Sequence, residues 1–399
     1  MSSLSPRARL LRSRADGAHG KVEFVELFFD LVFVFAITQL SHGLLHHLTF
    51  GGALQTVFLL LATWWVWMYT TWVTNWLDPA RIPVRFMMFA LMFAGLVMSA
   101  SIPKAFEDRG LFFALAYVAM QVGRSAFVVW CTRGHAPVRA ENFTRITIWL
   151  ATAGLFWIAG GLAEGSARWA LWLVALGIEY AGPWAYFRVP GMGASRLDDW
   201  DVDAHHMAER CGLFVIIALG ESVLVTGATF ADLEWTGAYV SAFVAAFVGT
   251  IAMWWLYFSI GQGVATQRFA AASSVGSMAR LAYTYFHIPI VAGIVFVAVG
   301  DELVLAHPKG HADLATILSV TGGAALYVAG TMLFKWSFFG RPPLSHLIAL
   351  GALLLTGVLA SALSPIALGW IVTVIIVVTA LWEHASLKSL REDHAAAHH

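Results

Sequence analysis

Ionisable side chains interrupt an otherwise apolar chain at a few defined places. Glu23, Glu26 and Asp30 open the stretch VEFVELFFDLVFVFAITQLSHG over residues 22–43. At ~100° per residue they fall within roughly a 60° arc of a helix. A second stretch, AHHMAERCGLFVIIALGESVLVTG over residues 204–227, carries His205, His206, Glu209, Arg210 and Glu221. Arg124 and Glu179 break two further apolar runs. Carboxylates beside histidine and arginine can take up and pass on a proton, hold a small ion, or clamp helices together. On a helix, His206, Arg210 and Glu221 share one stripe, and His205 and Glu209 the neighbouring one. Arg210 and Glu221 are about three turns apart, too far to pair. Arg210 therefore needs a partner on another helix, and Glu26 or Asp30 is the predicted one. The candidate substrate or proton site is Glu23, Glu26, Asp30, Arg124, His206, Glu209, Arg210 and Glu221.

Other groups point to packing rather than chemistry. His205 and His206 with Glu209 have metal-type spacing, but no second ligand pair accompanies them, and no metal is predicted. Cys131 and Cys211 lie in apolar surroundings without a paired spacing. His287, in YFHIP, reads as a hydrogen-bonded packing histidine more readily than as a proton relay. Gly160-Gly161 and Gly322-Gly323 suit close helix approach, and Pro183 and Pro289 are expected to kink their helices. There is no Walker motif, dinucleotide fingerprint or nucleophile elbow, so no cofactor is expected.

The elements that must position these groups are transmembrane helices. Of the 399 residues, 59% are hydrophobic and 12% charged, with a mean hydropathy of +0.73. Soluble domains carry about 25% charged residues. The net charge is zero, which gives no electrostatic case for a nucleic-acid partner. A helix needs about 20 apolar residues to cross the hydrocarbon core. That rule places about twelve spans, near 22–43, 53–74, 85–103, 111–131, 143–163, 167–187, 207–229, 236–260, 279–299, 313–333, 344–362 and 366–385. The fold class is all-α, a polytopic transmembrane helical bundle.

Lys and Arg set the predicted orientation. With the N-terminus inside, the inner face receives a basic leader over 1–21 (Arg7, Arg9, Arg12, Arg14, Lys21). It also receives the loops at Arg81–Arg85, Arg133–Arg145, Arg188–Arg196, Arg268–Arg280, Lys335–Arg341 and Lys388–Arg391. The outer face keeps Lys104, Arg109, Arg168 and Lys309. This asymmetry predicts cytoplasmic termini, and the acidic start of the first span argues against a cleaved signal peptide. The organisation that follows is a first six-helix half over 22–187, a cytoplasmic linker over 188–206 that caps the next helix, a second half over 207–387, and a tail over 388–399.

Weak internal matches suggest two parallel six-helix repeats. Trp64-Trp65-Val66-Trp67-Met68-Tyr69 in span two resembles Trp254-Trp255-Leu256-Tyr257-Phe258 in span eight. Tyr117-Val118-Ala119 in span four resembles Tyr327-Val328-Ala329 in span ten.

A charge at the bilayer centre costs ~2.5–3.5 kcal/mol on insertion scales. Glu26, Asp30, Arg124, Glu179, Arg210 and Glu221 exposed to lipid would together cost on the order of 15–20 kcal/mol. They must face the bundle interior. By the topology above, most of them sit in the cytoplasmic half of their spans, with Glu23, His205, His206, Arg85 and Arg280 near the same surface, so one shared polar cluster is geometrically possible.

The two stretches VELFFDLVFVFAITQLSH (25–42) and HHMAERCGLFVIIALGES (205–222) resemble the bacterial low temperature requirement A family, over about Gly20 to Leu387. The resemblance implies an integral protein of the bacterial cytoplasmic membrane. It implies signature polar groups at Glu26, Asp30, His206, Glu209, Arg210 and Glu221. Three functions compete. The favoured one is a secondary transporter, with proton coupling as one form, whose partners are the bilayer and a small-molecule or ion substrate. The second is an intramembrane enzyme acting on a lipid or isoprenoid carrier, with His206 as base and Glu209 as its orienter. The third is a non-catalytic scaffold or bilayer sensor.

Overall fold

A computed structural model describes residues 7–12, 20–196, 200, 202–258, 268–269 and 274–396, with side chains to 386. Arg14, part of the linker (197–199 and 201), and the side chains of Lys388 and Arg391 lie outside the described residues. Among the described residues the elements are helical. The long ones are α1 (Phe24–His46), α2 (Phe50–Trp76), α3 (Ile82–Ser101), α4 (Gly110–Thr132), α5 (Pro137–Leu162) and α6 (Gly165–Ala181). They continue with α7 (Ala204–Ala231), α8 (Gly237–Phe258), α9 (Val275–Ala306), α10 (Leu314–Phe339), α11 (Leu344–Leu359) and α12 (Pro365–Ala396). All but α6 are long and apolar enough to cross a membrane.

The outward faces confirm the environment. On α3, Ile82, Phe86, Phe89, Phe93 and Leu96 form an exposed apolar ridge, and on α11 Leu347, Leu354, Leu355 and Val358 do the same. Water would penalise such surfaces, whereas acyl chains accept them. On α1 the pattern is inside out. Phe24 is 87% exposed and Phe28 and Leu31 are more than half exposed, while Glu26 and Asp30 are fully buried. The chain is a multi-pass membrane protein.

Two compact units make up the chain. One comprises Met1–Gly43, Leu54–Arg210 and Ser273–Ser277, and the other Leu44–Ala53, Cys211–Ala272 and Met278–His399. In the first, α4 packs along α3 and α5, and α5 along α6. In the second, α9 lies along α10 and α8 along α12. A Cβ on Gly323 would meet the Val297 backbone nitrogen of α9 at 2.8 Å, so α9 and α10 can touch only through glycine there.

Two prolines act differently from the expectation. The sixth helix, predicted to reach residue 187, stops at Ala181, with 17 residues. Gly182 and Pro183 follow it, and Tyr186 and Phe187 take positive φ values of 51° and 47°. Pro183 therefore ends a helix instead of kinking one. Pro289 follows a π-helical turn over Ala279–Tyr285. Proline has no N–H to give the carbonyl four residues back, and the wider winding upstream re-registers the chain to absorb that loss. His287 serves the same turn. Its Nδ1 donates to the Ala282 carbonyl (2.9 Å), and its Nε2 accepts from the Tyr257 hydroxyl (2.7 Å).

Candidate functional site

The first unit gathers Glu26 and Asp30 of α1 against His206 and Arg210 of α7. α1 begins at Phe24, and Glu26 Oε2 accepts the backbone N–H of Glu23 at 2.9 Å, a carboxylate satisfying a free donor at a helix start. Asp203 does the equivalent for α7. Its Oδ1 accepts from the backbone N–H of His205 (2.9 Å) and of His206 (3.1 Å), and its Oδ2 from Gly20 (2.7 Å). Burial pushes the Asp203 carboxyl up, but these N–H groups and the nearby His206 outweigh it and hold it below its ordinary value. Each signature stretch thus begins with an acid that fixes its own helix start, which sets the depth and rotation of the residues behind it.

Those residues interlock. Arg210 grips Asp30 with two parallel bonds, Nη1 to Oδ2 at 2.5 Å and Nη2 to Oδ1 at 2.8 Å, and Nη1 also donates to the Glu26 carbonyl at 3.1 Å. This forked geometry is specific to a guanidinium. Trp67 of α2 donates its indole N–H to Asp30 Oδ1 (2.8 Å) and lies under the Arg210 guanidinium, 5.4 Å from the ring centre. Glu26 Oε1 lies 2.9 Å from His206 Nε2, and Glu26 Oε2 accepts from Arg12 Nη2 at 2.9 Å.

Hydrogen bonding fixes the His206 tautomer. The Asn75 amide oxygen accepts the Asp203 backbone N–H (2.8 Å), so its nitrogen is the donor, given to the Asp203 carbonyl (3.0 Å) and facing His206 Nδ1 (3.2 Å). Nδ1 must then accept, and the ring proton sits on Nε2, directed at Glu26. Arg12 Nη2, 3.2 Å from Nε2, cannot also donate there and spends its proton on Glu26. Arg12 and Arg210 thus face Glu26 and Asp30, with the Asp203 carboxylate at the backbone of His206.

Arg12 and Asn75 belong to the site although neither was a candidate. The leader folds back beside the end of α2, with Leu11 paired to Leu77 and the Arg12 backbone N–H on the Trp76 carbonyl (2.8 Å). The Arg12 guanidinium then caps carbonyls left open where α2 ends, Thr74 at 2.7 Å and Leu77 at 3.2 Å.

Several candidates lie elsewhere. Glu209 is exposed, one residue and 100° away from the buried face of α7. It therefore cannot orient His206, a role that Glu26 fills. Glu23 contributes its backbone and has a half-buried side chain. Glu221 is buried but belongs to the second unit. Arg85 is exposed and bonds the Ala80 carbonyl (3.3 Å). Arg124 sits in a separate buried group. Its Nη1 donates to the Val66 carbonyl (3.1 Å) and Thr70 Oγ1 (2.8 Å), and Nη2 donates to Gln121 Oε1. Gln121 Nε2 passes the contact on to Glu179 (2.9 Å), which also accepts from Tyr117 (2.5 Å) and Trp157 (2.9 Å). Instead of one shared cluster, charge is divided between separate centres.

The second unit holds a further centre that sequence reasoning missed. Lys335 of α10 bonds Glu383 of α12, the Leu256 carbonyl of α8 (3.0 Å) and His346 Nε2 of α11 (3.2 Å), and is 1% exposed. Among the described residues no three His, Cys, Asp or Glu side chains converge as a metal site would require.

Residues 21–381 match the family described as bacterial low temperature requirement A protein (LtrA). The chain belongs to this family. An uncharacterized protein of Rhizobium meliloti (strain 1021) is 44% identical over 377 residues, covering 94% of this chain and 92% of that one. No solved structure matches the chain. The low temperature requirement A match takes in both signature stretches, and the geometry shows what their charged residues do for each other: Asp30 with Arg210, and Glu26 with His206.

Proposed function

We propose that this low temperature requirement A protein is a proton-coupled secondary transporter of the bacterial cytoplasmic membrane, with both termini in the cytoplasm and His206 as its proton acceptor. One observation supports the reading above all. The second ring nitrogen of His206, Nδ1, faces the Asn75 amide donor at 3.2 Å. A proton on Nδ1 turns that contact into donor against donor. Asn75 must then turn, and in turning it gives up both bonds to the Asp203 backbone, which hold the start of α7. Protonation at one nitrogen is thereby coupled to the seating of a transmembrane helix, the kind of two-state element that alternating access needs.

The positive-inside charge distribution supports a position of this cluster toward the cytoplasm. The recurrence of a buried cation on aligned carbonyls in the two units (Arg124 on Val66, Lys335 on Leu256) supports the two-repeat organisation.

Purified protein in liposomes, loaded with a pH-sensitive dye and challenged with a broad substrate panel under an imposed pH gradient, tests this. The wild type should move protons with at least one solute, and His206→Gln should fold but uncouple the two fluxes. Asn75→Asp, whose carboxylate accepts what the amide opposes, should hold the proton on and slow turnover. No pH-dependent flux for any solute would sink the transporter reading. Flux unaltered in His206→Gln would sink the assignment of the acceptor.

A further inference from the structure

A trough of about 370 Å³ runs between α4 and α5 on the outside of the first unit. Its walls are helical stripes. Ala126, Trp130 and Arg133 lie on α4, and Thr147, Ile148 and Ala151 on α5. Ala126, Val129, Ile148 and Ala151 make most of its lining apolar. The hydroxyl of Thr147 donates back to the Phe143 carbonyl (2.7 Å), so it offers no donor to the trough. The deep part is therefore apolar.

The end of the trough is not. Arg133 caps the end of α4, its backbone N–H on the Val129 carbonyl (3.1 Å), and its exposed guanidinium has no hydrogen-bond or ion-pair partner among the described residues. Arg7 stands over the Trp130 ring, 4.9 Å from its centre, and makes no ion pair either. The nearby Glu141 is engaged by Arg145 at 2.5 Å. Two guanidiniums without counter-charge thus flank a half-exposed indole at the end of a transmembrane helix, with an apolar trough running from them toward the membrane interior.

We infer that this trough is a binding site for an anionic phospholipid, its phosphate on Arg133 and Arg7 and one acyl chain along Ala126, Ile148 and Ala151. Charge complementarity selects the headgroup. A guanidinium binds phosphate through two parallel hydrogen bonds, and basic pockets between transmembrane helices take anionic headgroups. The apolar floor selects a lipid over free phosphate, which would use the arginines alone. A zwitterionic headgroup carries its own cation and gains less from two more.

Native mass spectrometry of the delipidated full-length protein tests it, with phosphatidylglycerol and phosphatidylcholine of identical chains. The wild type should retain phosphatidylglycerol about tenfold better, the scale of one charge-assisted contact. Arg133→Gln should remove most of that preference. Ala151→Phe, on the lipid-facing wall, should weaken retention of both lipids by filling the trough. Equal retention of the two lipids by the wild type would overturn the proposal whatever the variants do. So would unchanged retention in Ala151→Phe, which would leave only annular lipid.

Discussion

The Arg124 centre of the first unit and the Lys335 centre of the second follow one plan with different chemistry. In each, a cation donates to a backbone carbonyl on the aromatic helix, Arg124 to Val66 and Lys335 to Leu256. Those carbonyls occupy matching places in the WWVWMY and WWLYF runs. In each, a carboxylate on a later helix answers, Glu179 of α6 or Glu383 of α12. The next residue along meets the matching tryptophan, Tyr180 stacked on Trp65 at 3.9 Å and His384 edge-on to Trp255 at 5.7 Å between ring centres.

The difference lies in how the charges meet. Glu179 is held by three neutral donors, with Gln121 standing between it and Arg124. Glu383 touches Lys335 directly, and His346 shares the ammonium. A guanidinium does not give up its proton, whereas a buried ammonium can. The cation of the first centre keeps its proton; that of the second is a type that can exchange one. A shared plan therefore fixes where charge is buried, and the residue types filling it decide whether that charge is permanent.

The largest expected effect separates the two carboxylates. Glu179→Gln replaces one accepting oxygen with an amide donor among Tyr117, Gln121 and Trp157, which all donate, and leaves Arg124 buried without its anion. It should cost on the order of 3–5 kcal/mol. Glu383→Gln, at an 8%-exposed position close to the end of its span, should cost less than half as much. Thermal unfolding in one detergent measures both, and equal losses would break the distinction.

The reciprocal cation swap comes next. Arg124→Lys loses the double reach to Val66 and Gln121 and should destabilise by roughly 2 kcal/mol. Lys335→Arg keeps the charge but overfills its site, at about 1–3 kcal/mol. Infrared difference spectra between pH 6 and 9 should show a carboxyl signal lost in Glu383→Gln and suppressed in Lys335→Arg. A signal indifferent to both would place the exchange elsewhere.

The smallest effect concerns the Asp203 cap of the first unit. Asp203→Ala should cost about 1 kcal/mol. Because its carboxyl is held below the ordinary 3.8, its contribution is complete above that pH and is lost as pH falls through the lower folded value. Asp203→Asn should flatten that acid limb of the unfolding curve.

Much of this was legible from charge and period alone. The roughly 60° arc of Glu23, Glu26 and Asp30, and the depth Glu26 and Asp30 share with Arg210, point to the pairing seen, because lipid leaves such groups nowhere else to go. The positions of the twelve helices follow from hydropathy. Arg12 was not legible, since a leader that folds back on α2 leaves no periodic trace. Lys335 and Glu383 were hidden for a similar reason. Both lie near the ends of spans, where a charge reads as a water-facing boundary. Glu209 misled because a spacing of three from His206 suggests a pair, while the α1 contact decides which stripe turns inward. The sixth helix overran because Gly182-Pro183 ends it while the apolar run continues.

Asp30 and Arg210 stand 180 positions apart in the chain. A ribosome adding 5–20 residues per second makes the anion roughly 10–35 s before the cation that answers it. During that interval α1 can enter the bilayer only with Asp30 uncharged or waiting at the headgroups. Arg12, synthesised just ahead of Glu26, is already at hand for one of the two acids. Insertion of the first helix is thus a provisional act, made final only when the seventh is delivered.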